Sequence, residues 1–136
     1  MRVVLDVNVL ISALLNRTGP PAQLMMAWLE GAFELVVSPY LMDELQRALA
    51  YPKLRQRVPE MQAAEYLEIL ARSASLVLDP IGPAPLTSTD PEDDYLIALA
   101  ASTGSLLVTG DGHLLELADR APVHTPAELV DMIAGA

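Results

Sequence analysis

Four acidic residues, well separated along the chain, have the types and settings that could do chemistry together. Asp6 closes the short apolar run Arg2-Val3-Val4-Leu5 and is followed by Val7, Val9, Leu10 and Ile11. A carboxylate in such surroundings is costly to bury without a partner. Asp111 stands in Val108-Thr109-Gly110-Asp111-Gly112, just past a second apolar run, where ordinary turn chemistry would also account for it. Helical phase separates Glu44 from its neighbour. At ~100° per residue Glu44 lies at the edge of the Leu41, Leu45 and Ala48 stripe, whereas Asp43 points almost opposite. The same arithmetic groups Asp93 with Leu96, Ile97 and Ala100, and turns Asp94 toward Ala98 and Ala101. Acids at Asp90-Pro91-Glu92-Asp93 also suit a first helical turn, where the macrodipole favours them by ~0.3 to 1 kcal/mol. Singly, each acid has a structural explanation. Brought within a few ångströms, they would raise one another's pKa values unless a cation sat among them. Mg²⁺ or Mn²⁺ takes oxygen ligands and needs no Cys or His. The chemistry that follows is metal-assisted hydrolysis of a phosphodiester.

Elements must position these acids. Arg2–Leu5, 33–37, 75–78, 105–109 and the brief Val123-His124 read as strands, and their apolar continuity suits a sheet covered on both faces. Helical periodicity marks 20–31 (Pro21, Leu24, Met25, Trp28, Leu29), 39–50, 60–73 (Met61, Ala64, Leu67, Leu70) and 91–103. Ser38-Pro39, Asp90-Pro91 and Thr125-Pro126 are helix starts, an oxygen cap followed by a proline that costs no hydrogen bond. Alternating strands and helices predict a single domain over 1–136, an α/β fold of three α/β/α layers around a mostly parallel five-stranded sheet. In such sheets the ligand site lies beyond the carboxyl ends of the strands, where Asp6 and Asp111 fall.

Composition narrows the function classes. Eighteen acids against eight Lys and Arg give a net charge of −10 and a pI near 4.4, which excludes coating nucleic acid through bulk charge. No cysteine is present, so thiol nucleophiles and thiolate zinc sites are excluded. With 52% apolar residues and a mean hydropathy of +0.34 the chain has material for a core. No apolar run reaches the ~20 residues of a membrane span and no leader is evident, so a soluble, cytoplasmic protein is expected.

The series Leu5-Asp6-Val7-Asn8-Val9-Leu10, Leu41-Met42-Asp43-Glu44-Leu45, Asp90-Pro91-Glu92-Asp93-Asp94 and Val108-Thr109-Gly110-Asp111 resembles the PIN domain, most nearly the bacterial branch of toxin components of toxin-antitoxin systems. The resemblance covers essentially the whole chain. It implies a parallel five-stranded sheet and a Mg²⁺- or Mn²⁺-dependent endoribonuclease that leaves a 5′-phosphate and a 3′-hydroxyl. Asp6, Glu44, Asp93 and Asp111 match the family's acidic metal site, Asn8 the polar residue two places after the first acid, and Thr109 the hydroxyl residue before the last. Asp94 is a supporting candidate. A protein antitoxin is the implied partner, and a homodimer the implied oligomer.

Five of the eight basic residues, Arg47, Lys53, Arg55, Arg57 and Arg72, fall between positions 47 and 72. A basic strip there could contact RNA phosphates, although a solvated helical face is the commoner reason for such a run. Arg17, shortly after the first motif, is a separate substrate-binding candidate. One Trp, four Tyr and one Phe make an extended base-stacking platform improbable. Two competing readings are an acidic-pocket interaction module and a receiver-like phosphoacceptor domain. The second ordinarily needs a lysine after the last strand, and the single lysine here is Lys53.

Overall fold

The computed structural model describes residues 1–135. Five parallel strands, β1 (Arg2–Leu5), β2 (Glu34–Val37), β3 (Ser75–Leu76), β4 (Leu106–Val108) and β5 (Val123–His124), form one sheet in the order β3-β2-β1-β4-β5. β1 is central, and Val3, Val4 and Leu5 are fully buried, as a strand covered on both faces requires. β3 stops two residues short of the predicted 75–78, because it is an edge strand whose neighbours lie on one side only; Leu78 is exposed.

The helices are α1 (Val7–Leu15), α2 (Pro20–Leu29), α3 (Pro39–Ala50), α4 (Pro52–Arg55), α5 (Glu60–Ser73), α6 (Asp94–Thr103), α7 (Gly112–Leu115) and α8 (Pro126–Ala134). α1 packs on α2 and α3, and α2 on α8, forming one layer. α6 packs on β1 and β4, in the crossover that carries the chain from β3 back across the sheet to β4. All three anticipated caps form: Ser38 Oγ accepts from Leu41 N at 3.2 Å, Asp90 from Glu92 N at 3.1 Å, and Thr125 builds a capping box with Glu128.

Three features depart from the pattern read above. The run Val7–Leu15 is a helix, which continuous apolarity could not distinguish from a strand. In α5 the buried face is Ala63 and Leu70 with Tyr66 and Leu67, while Met61 is 75% exposed; the stripe is displaced because Tyr66 turns inward to donate to Leu10 O at 2.8 Å. Residues 91–93 form a 3-10 turn before α6, so Asp93 sits at the junction and not within a regular helix. Among the described residues no helix is long and apolar enough to cross a membrane.

Candidate active site

The site lies where strand order reverses. β1 pairs with β2 on one side and β4 on the other, so the chain diverges at their carboxyl ends and leaves a crevice. Asp6 follows β1 directly, its N–H donating to Val108 O at 2.9 Å. Thr109 follows β4, fully buried, and its Oγ1 donates to Asp6 Oδ2 at 2.8 Å while accepting from Asp111 N at 2.9 Å. One hydroxyl therefore ties the first acid to the backbone of the last.

α3 and the turn before α6 close the crevice. Asp6, Asn8, Glu44, Arg47, Asp93 and Tyr95 are among the residues that line one cavity of about 440 Å³. Glu44 is half-buried and faces it, whereas Asp43 is exposed, as helical phase requires. Asp111 adjoins through Asp93, whose carboxyl hydrogen-bonds that of Asp111. The four acids thus come together, three on the cavity wall and one behind Asp93.

Their electrostatics record the crowding. Burial pushes the Asp6 carboxyl up, against the lowering effect of Thr109 and the Asn8 peptide. Asp93 is pushed up to about 7, first by burial, then by its hydrogen bond to Asp111 and the charges of Asp6 and Asp111. Asp111 goes the other way, held down chiefly by the backbone N–H of His113, at 2.9 Å from Oδ1, and by the same Asp93 bond. In this pair the proton stays on Asp93.

A divalent ion fits this donor set, because a cation would relieve the Asp93–Asp111–Asp6 repulsion and every group offered is a hard oxygen. Among the described residues no three acidic or histidine side chains converge on one point as a finished ligand set. An ion here would therefore keep part of its water shell, as Mg²⁺ ordinarily does.

The remaining candidates divide. Asn8 lines the cavity and is exposed at its rim. Asp94 does not: its Oδ1 accepts from Ser88 N at 2.9 Å and Ser88 Oγ at 3.2 Å, which anchors the loop leading into Asp93. Of the basic candidates only Arg47 lines the cavity, paired with Glu44 Oε1 at 2.6 Å. Lys53, Arg55, Arg57 and Arg17 are not on its walls. Tyr40 and Tyr95, which the motifs did not single out, are. Their signal was present: Tyr40 precedes Glu44 by one helical turn and Tyr95 follows Asp93 by two residues. Another cavity, about 530 Å³ between α6 and β5, is lined by residues such as Leu86, Ile97, Ala100 and Val123 and has no acid on its wall.

A model of the PIN domain matches residues 2–113, and the chain belongs to the PIN domain family. Over 119 residues it is 28% identical to the uncharacterized protein MJ1680 of Methanocaldococcus jannaschii, spanning 88% of this chain and 76% of that one. The crystal structure of PAE2754 from Pyrobaculum aerophilum matches with a TM-score of 0.67 at 20% identity, covering 100% of this chain and 91% of the other, a likeness of fold. PIN domains are generally nucleases that use divalent metals. Both matched proteins are archaeal, and neither points to the bacterial toxin branch.

Proposed function

We propose that the chain is a Mg²⁺- or Mn²⁺-dependent endoribonuclease that cuts RNA by in-line attack of water, leaving a 5′-phosphate and a 3′-hydroxyl. The single observation that carries this reading is that Asp6, Glu44 and Asp93 line one cavity at the sheet's switch point, with Asp111 behind Asp93 and tied to Asp6 through Thr109. Asp6, Glu44, Asp93 and Asp111 would hold the ion, which when bound supplies an activated water and offsets charge on the phosphodiester. Thr109 positions Asp6 by its 2.8 Å bond and frees none of its rotamers, being fully buried. Asn8 at the rim offers an amide to the substrate backbone. Arg47 is the cation placed to meet a phosphate once Glu44 turns to the ion. The RNase would serve as the toxin of a toxin-antitoxin pair in the cytoplasm, restrained by a protein antitoxin and acting as a homodimer.

One observation favours a second reading. Glu44 already accepts a guanidinium, so the pocket could equally hold a basic side chain of a partner without cutting anything. The receiver-like reading loses its footing, since Lys53 lies on α4 and does not reach the cavity wall. Metal-dependent cleavage separates enzyme from binder. Purified protein with mixed RNA and Mn²⁺ is expected to yield 5′-phosphorylated fragments. EDTA, Asp6→Asn or Asp93→Asn should each abolish them, and Glu44→Gln should cost far more activity than Asp43→Asn. Full activity of Asp6→Asn, or intact RNA with the wild-type protein and metal, would refute the assignment.

A further inference from the structure

We infer that Tyr40, backed by Tyr95, is a stacking platform for one nucleobase of single-stranded RNA beside the phosphodiester that is cut. This rests on the nuclease reading above and specifies how that site takes its substrate.

Tyr40, Glu44 and Arg47 stand at i, i+4 and i+7 on α3, one face of the helix, and all three line the cavity with Asp6 and Asp93. Tyr40 is 44% exposed, in a chain that buries Trp28 and Phe33 to 7% and 6%. Its position is nevertheless well determined. Ser38 and Pro39 start the helix just before it, and Asp79 Oδ2 accepts from Tyr40 N at 3.0 Å. The Tyr95 ring packs against it at 4.4 Å between centroids and 59° between planes. A held, half-open ring is what base stacking needs, because little side-chain freedom is left to lose on binding.

Charge argues the same way. A polyanion approaching Asp6, Glu44, Glu92 and Asp93 on the cavity wall, with Asp111 behind, is repelled, and the wall offers one guanidinium in return. An aromatic face adds affinity for a base at no electrostatic cost, and it tolerates any base. Seven residues of α-helix separate Tyr40 from Arg47, roughly 10 Å along the axis. An extended strand could therefore set a base on Tyr40 and a neighbouring phosphate on Arg47, with Glu44 between. A base in a duplex has both faces occupied, so the substrate class is single-stranded.

The test uses the Asp93→Asn protein, expected to hold RNA without cutting it, and a short fluorescein-labelled single-stranded RNA read by anisotropy in Mg²⁺. Adding Tyr40→Ala or Tyr40→Leu should raise Kd about tenfold, while Tyr40→Phe should stay within about twofold. Tyr40→Trp should give emission that RNA quenches. A Tyr40→Ala protein with native circular dichroism and unchanged Kd, or a Tyr40→Trp protein whose emission RNA leaves unaltered, would overturn the inference while leaving metal-dependent cleavage standing. RNA neither bound by Asp93→Asn nor cut by the wild type would remove both.

Discussion

Asp93 is the residue on which the site's energetics turn. Its folded pKa of about 7 lies above the ordinary value of 3.8. The fold therefore gains from the bound proton below about pH 4, and this contribution is lost as the pH rises to about 7. Asp111, held low, works in the opposite direction and at lower pH: its contribution is present above about 4 and is lost on acidification. Without divalent ions, Tm should fall between about pH 4.5 and 7.5. Asp93→Asn should remove much of that slope and stabilise the protein at pH 7.5 by on the order of 1 kcal/mol, once solvent screening of a partly exposed group is allowed for. Thermal denaturation across that range checks it; an unchanged slope in Asp93→Asn would show that the acids do not feel one another. Phase arithmetic sufficed to tell Glu44 from Asp43, because both lie on a regular helix. It was less informative for Asp93 and Asp94, where a 3-10 turn interrupts the period and Asp94 is drawn to Ser88.

At the scale of elements, caps do more than begin helices. Ser38 holds the first turn of α3, the element that carries Tyr40, Glu44 and Arg47 to the cavity. Ser38→Ala should cost about 1 kcal/mol, and it should also reduce RNA cleavage, since the turn that aims those side chains loosens. Thr125→Ala removes a comparable cap from α8, which contributes nothing to the cavity wall, so it should lower Tm with cleavage preserved. Equal cleavage in both variants would mean that α3 is held by packing alone. These caps were legible because cap and proline are local chemistry. α1 was not, for its apolar sequence satisfies a buried strand and a buried helix alike. Nor was the burial face of α5, where the position of Tyr66 depends on a carbonyl of Leu10, 56 residues away.

For the whole molecule, a net charge of −10 surrounds a site built for a polyanion. Only Arg47 joins the acids on the cavity wall, and Lys53, Arg55 and Arg57 lie elsewhere on the chain. RNA binding should therefore depend weakly on salt, with a slope of log K against log salt near −0.7 to −1.4, about one or two phosphate contacts on a single strand. A slope steeper than about −3, lost on replacing Lys53, Arg55 and Arg57 together, would show that a basic strip grips the substrate after all. By itself the sequence determined the α/β class, the strands and the three capped helix starts, and it marked four acids as candidates, since each is written in neighbouring residues or in helical period. Tertiary structure alone decided that Thr109 joins Asp6 to Asp111 across 103 and 2 residues, that Asp93 hydrogen-bonds Asp111, and that Tyr40 and Tyr95 stand beside the acids. Those relations depend on how β1 and β4 align and where α3 and α6 pack, and no local pattern encodes a distance between segments so far apart along the chain.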